Sequence, residues 1–265
     1  MPILKRGLSG GIVLNDEIKQ NAEIDEDEQK VLDPLELTDR DIAIFRLAHE
    51  HRYIVYSQIR EGFWKERSVS AKAPNKRVQR LVRSGFLSRG YSEMKNLNCY
   101  MVTEKSLSIM KERGLDSGLK LYEPTPRFDR SIDHDLKLLN LRLVFRDCGL
   151  DCWRSERILR ESEHLKRIPD GVLNVGGNKV AIEFENGPLS KSIARYQEMF
   201  AYYNQHEAYA LFFLIVDGNV KDWLIRVMEY DPQRVWITTY KEMMRKRENA
   251  VFENKAASFT LHEIL

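Results

Sequence analysis

Three carboxylates in the second half of the chain are spaced for shared chemistry. Asp170 precedes an apolar run at 172–175, and Glu183 and Glu185 lie in a second run beyond a Gly176-Gly177-Asn178 turn. Two such runs around a glycine turn predict a β-hairpin. The hairpin would bring Asp170 towards Glu183 and Glu185, and the two-residue period of a strand puts 183 and 185 on one face. Carboxylates gathered there repel one another unless a cation neutralises them. Mg or Mn, hard ions that take oxygen ligands, would be held by Asp170 and Glu183. A metal so placed would polarise a phosphate and lower the pKa of an attacking water, making all three acids candidate catalytic residues. Glutamates on an edge strand beside an Asp-Gly turn are also ordinary surface residues, and that reading stays open.

A second set of residues suits a polyanion. Val78, Leu81 and Val82 form an apolar stripe at helical spacing. The opposite face then carries Asn75, Lys76, Gln79, Arg80 and Arg83, with Lys72 just before it. Arg and Lys pair with guanine edges, Asn and Gln with adenine, and further cations anchor phosphates. No Asp or Glu lies between Ser68 and Tyr91, whereas a face made only for solvent would mix signs. Arg89 and Lys95, at a polar loop over 90–98, could lie along the adjacent groove or backbone. A protein-binding face and a plain solvated face are the alternatives. Binding of duplex DNA by such a helix requires no cofactor.

The elements that must position these residues follow from periodicity and punctuation. Thr38, with Asp39 and Asp41 behind it, predicts a helix start, and Ile42, Phe45, Leu47 and Ala48 give its buried stripe. A second short helix is expected to carry Val55, Ile59 and Phe63. A third begins near Pro74 and stops at Gly85. Two strands at 86–89 and 99–102 follow, and Thr103 caps a further helix ended by Gly114. Three helices and a hairpin in this order predict a winged helix-turn-helix. Beyond Pro124 and Pro126, a helix over about 131–146 opens a second domain of alternating strands and helices. Its strongest strand signal is the apolar run 208–216. A later helix over 190–205 places Ile193, Tyr196, Phe200 and Tyr203 on one stripe, read as core packing. The expected organisation is a flexible acidic arm at 1–36, a winged-helix DNA-binding domain at 37–115, a linker at 116–127 and an α/β domain with a mixed sheet at 128–265.

Charge supports that division. Residues 38–115 carry 16 Lys and Arg against 8 Asp and Glu, while residues 1–37 carry 4 against 9. The chain's net +2 conceals a compact basic block of the kind that meets a polyanion. The acidic run 23–28 reads as a solubilising tail or as a mimic that competes with DNA. Cys99, Cys148 and Cys152 form no zinc-type pairing with each other or with the six histidines, which fits a reducing cytoplasm. No apolar run approaches the roughly 18 residues of a membrane span, and no signal peptide is expected at the start.

Two resemblances build on these residues. Pro169-Asp170, then Glu183-Phe184-Glu185, resembles the core of the PD-(D/E)xK nuclease superfamily, whose acids hold metal and whose lysine assists the nucleophile. Glu185 stands where that lysine is expected, and Lys191 or Arg195 could supply a displaced charge. Over residues 37–240 the order of motifs resembles the replication-relaxation family of plasmids and mobile elements. It runs through Leu37-Thr-Asp-Arg-Asp, Arg77-Val-Gln-Arg-Leu, Gly85-Phe-Leu, Tyr100-Met-Val-Thr, His134-Asp-Leu, Pro169-Asp170 and Glu183-Phe-Glu185, with Tyr196 on a following helix. That family carries an acid at the lysine position, so Glu185 follows its pattern. The resemblance implies a double-stranded-DNA-binding protein of transcriptional control, plasmid replication or mobilisation and leaves nuclease activity open; the reading adopted is a nuclease-like domain that is not catalytic. The alternative is a Mg- or Mn-dependent endonuclease using Asp170, Glu183 and Glu185. A homodimer would double the half-sites, although no residue demands one.

Overall fold

The computed structural model describes residues 35–64, 72–124, 128–162, 165–186 and 193–264. The chain divides into two units, one of residues 1–116 with 120–132, the other of 117–119 with 133–265. Most of the acidic arm, Lys191 and residues 125–127 lie outside the described residues.

The first unit contains α1 (Asp39–Glu50), β1 (Ile54–Val55), α2 (Tyr56–Phe63), α3 (Lys72–Arg83), β2 (Leu87–Ser92), β3 (Leu97–Val102) and α4 (Glu104–Glu112). Its strands form an antiparallel sheet in the order β1-β3-β2. Thr38 caps α1 with a capping box: its hydroxyl accepts from the Asp41 N–H at 3.4 Å, and its own N–H donates to Asp41 Oδ2 at 2.8 Å. Thr103 caps α4 more simply, its hydroxyl accepting from the Ser106 N–H at 3.5 Å. Gly85, at φ +72°, ends α3. The Phe86 N–H reaches the Leu81 carbonyl and the Gly85 N–H that of Val82, a turn whose left-handed residue favours glycine. Ile42, Phe45, Ala48, Ile59, Val78, Leu81 and Phe86 are buried, and the Phe45 and Phe86 rings stack 5.9 Å apart.

Two expectations change here. Val55 belongs to β1, paired with Cys99, and not to α2. The polar loop expected at 90–98 shrinks to the turn at 93–96, because β2 and β3 stay in register out to the Ser92 and Leu97 pair. Arg89 therefore sits within a strand and Lys95 in the turn.

The second unit is mixed α/β. In chain order it has α5 (Phe128–Asp147), β4 (Arg154–Ser155), α6 (Glu156–Ser162), β5 (Gly171–Val175), β6 (Asn178–Glu185), α7 (Ile193–Gln205), β7 (Leu211–Val216), α8 (Lys221–Val227), β8 (Val235–Thr239), α9 (Tyr240–Lys246), β9 (Val251–Glu253) and β10 (Ser258–Thr260). The strands make one sheet in the order β10-β9-β8-β7-β6-β5-β4. β6, β7 and β8 run parallel and the flanking pairs antiparallel, so the sheet is mixed. β5 and β6 form the hairpin, with Gly176 and Gly177 both at positive φ in its two-residue turn. β7 holds the centre, with Phe212, Phe213, Leu214, Ile215 and Val216 all buried because helices cover both faces. One face packs Ala181, Phe212, Leu214 and Val216 against Tyr196, Met199, Phe200 and Tyr203 of α7. The other packs Val180, Ile182, Phe184, Phe213 and Ile215 against Leu138, Leu141 and Phe145 of α5. Ile193, expected on the buried stripe of α7, is exposed at its first turn.

Candidate functional site

On the first unit, α3 buries Pro74, Val78 and Leu81. Lys72, Asn75, Lys76, Gln79, Arg80 and Arg83 are all exposed, as are Arg89 and Lys95. Among the described residues, Lys76, Arg80 and Arg83 enter no salt bridge. Arg77 does the opposite. Its Nε donates to Asp41 Oδ1 at 3.0 Å, its Nη2 pairs with Asp41 Oδ2, and Nη2 also donates to the Glu36 carbonyl at 2.7 Å. Asp41 is wholly buried. Burial pushes its carboxyl up, but the hydrogen bonds from Arg77 and Thr38 outweigh it and hold the group below the usual range. Arg77 thus fastens α3 to the start of α1, and sequence spacing could not show it because the partners are 36 residues apart.

On the second unit, the hairpin places Asp170 directly before β5, in line with Glu183, since Gly171 pairs with Ile182. β5 ends there, so the Phe184 N–H has no strand partner on that side. Asp170 Oδ2 accepts from it at 2.8 Å. The same oxygen lies 3.4 Å from His134 Nε2, on α5. His134 Nε2 also lies 3.2 Å from the Phe184 carbonyl. A carbonyl only accepts, so Nε2 carries a proton. Nδ1 faces Asp135 Oδ1 at 3.6 Å. Burial opposes charge on the ring, but Asp135 and Asp170 prevail and raise its pKa to about 10.

Glu183 and Glu185 share a face of β6, as the strand period requires, but that face is covered and both are buried. Glu183 Oε1 accepts from Arg167 Nε at 2.9 Å and from the Tyr203 hydroxyl at 2.8 Å. Burial and the nearby Asp170 charge push its carboxyl up to about 7, against the pull of Arg167 and Tyr203. Glu185 acts electrostatically on Tyr196, whose hydroxyl is pushed up by burial and then by this charge. Arg195 is exposed at the start of α7. Asp170 and Glu183 are thus brought together. Among the described residues, no group of three or more His, Cys, Asp and Glu is placed to hold a metal ion.

Sequence reasoning missed the partners of these acids. Arg167 and Tyr203 reach Glu183 from 16 and 20 residues away. It also missed a polar cluster at the ends of β6 and β7, where Lys137 Nζ meets Asp133 at 2.7 Å, Asp217 at 2.7 Å and Asn186 Oδ1 at 3.1 Å. The i,i+4 spacing of Asp133 and Lys137 was the one visible sign of it.

Comparison with family models, with curated proteins and with solved structures gives no match in any of the three. Among the described residues, no helix is long and apolar enough to cross a membrane.

Proposed function

We propose that this protein binds double-stranded DNA through its first unit, a winged helix with α3 as recognition helix and the β2–β3 hairpin as wing. The observation that carries the reading is the outward face of α3. Lys76, Arg80 and Arg83 are exposed without salt-bridge partners, and Asn75 and Gln79, suited to base edges, stand among them. A face that only needed water would gain from mixed signs and i,i+4 pairs, as on α1, where Arg46 pairs with Glu50. The basic balance of residues 38–115 and the resemblance to the replication-relaxation family support the same reading. The role it implies is control of transcription or of plasmid or mobile-element replication or mobilisation.

The second unit serves this role as a nuclease-like domain that does not cut. The test has two arms. In a mobility-shift assay, K76E/R80E should lose duplex binding while keeping the wild-type circular dichroism spectrum. Supercoiled plasmid incubated with the wild type should stay intact in Mg, Mn or EDTA alike. Retained binding in K76E/R80E sinks the first claim. Metal-dependent nicking that disappears in Asp170→Ala sinks the second and makes the protein an endonuclease.

A further inference from the structure

We infer that Asp170 and Glu183 are not a divalent-metal pair: Arg167 is the resident cation of Glu183, His134 and the Phe184 N–H hold Asp170, and these groups form a metal-independent polar lock. The inference is separate from DNA binding by the first unit. Each acid has its own basic partner, Arg167 Nε lying 2.9 Å from Glu183 Oε1 and His134 Nε2 3.4 Å from Asp170 Oδ2. One oxygen of each acid is engaged further. Asp170 Oδ2 also accepts from the Phe184 N–H, Glu183 Oε1 also accepts from Tyr203, and the Phe184 carbonyl faces His134.

Charge makes the same point. The Arg167 guanidinium, 2.9 Å from Glu183 Oε1, already supplies a positive charge beside that acid, and a divalent ion there would have to displace it or sit against it. Nearby like charges disfavour that strongly. Hard divalent ions also need several free oxygens. With one oxygen of each acid already taken, and no group of three or more His, Cys, Asp and Glu gathered among the described residues, the donor set does not fit Mg or Mn as arranged. What the lock does is mechanical. It ties α5 through His134, the segment before β5 through Arg167 and Asp170, and α7 through Tyr203 to the end of β6.

Titration of the full-length protein with Mn in a calorimeter, beside melting curves in Mn, Mg and EDTA, tests this. The wild type should show no stoichiometric Mn uptake and the same melting temperature in all three. Arg167→Met, which keeps the length and removes the charge, should melt lower in EDTA and gain an Mn-dependent rise that Arg167→Met/Glu183→Gln lacks. Arg167→Lys should behave as wild type towards Mn. One Mn ion bound by the wild type and lost in Asp170→Asn overturns the inference, and this arm decides even if Arg167→Met fails to fold. So does an Arg167→Met protein that folds, melts like wild type and ignores Mn.

Discussion

The outer face of α3 and the end of β6 handle charge in opposite ways. On α3, Lys76, Arg80 and Arg83 stand in water with no acid beside them. At β6, Glu183 is buried and meets Arg167 and Tyr203, and Asp170 meets His134. Exposed unpaired cations are cheap to keep because water screens them, and they remain available to a phosphate. Buried carboxylates cannot stay unpaired, so the fold supplies their partners itself. Charge kept for a partner and charge spent on the fold are thereby separated. Arg77 shows the distinction inside one helix, for it points to buried Asp41 while its neighbours face solvent.

The largest effect should come from reversing the unspent charges. K76E/R80E is expected to weaken duplex binding by about 1,000-fold in fluorescence anisotropy, since each contact contributes roughly 1–3 kcal/mol and reversal adds repulsion. A loss below tenfold would put both residues among merely solvated ones.

Next is Arg77→Ala, which leaves buried Asp41 without its cation. It should destabilise the first unit by about 3 kcal/mol, seen as faster amide exchange in α3, because unpairing a buried ion is strongly unfavourable. Stability equal to wild type would move Arg77 into the same class as Lys76.

A methyl group at Gly171 would lie inside the Trp153 indole. Gly171→Ala should therefore lower the second unit's stability by about 1–3 kcal/mol in urea, without changing DNA affinity.

The smallest effect concerns pH. The Asp41 carboxyl is held below its unfolded value, so its contribution is present above the unfolded pKa of about 3.9 and is lost as pH falls through the folded one. Wild-type α3 should lose protection below about pH 4. Asp41→Asn should start less stable and show a flatter acid limb. Parallel limbs would mean that Asp41 is not the group responsible.

Much of this arrangement is legible in local sequence. Thr38 and Thr103 announce helix starts, Gly85 a stop, and Gly176-Gly177 a hairpin, because each acts through its own backbone or nearest neighbours. The exposed face of α3 follows from the spacing of Val78 and Leu81 alone. β1 was not legible, since two apolar residues become a strand only when Cys99 and Tyr100 pair with them. The β2–β3 hairpin ran longer than its polar residues suggested, because ladder pairing with β3 outweighs their loop preference. For the carboxylates, spacing brought Asp170 to Glu183. It could not show that His134 and Arg167 would reach them, since those pairings exist only once α5 and the segment before β5 have packed on the sheet. Burial of Glu185 was hidden for the same reason, as it depends on cover by α7.

The central claim, that the first unit's free cations await DNA phosphates, is tested most directly by duplex affinity across salt concentrations. The account predicts a log–log slope between about −3 and −5, as three to six phosphate contacts require, made shallower by about one in Lys76→Ala. A flat response, or a steep one that Lys76→Ala and Arg80→Ala both leave unchanged, would contradict it.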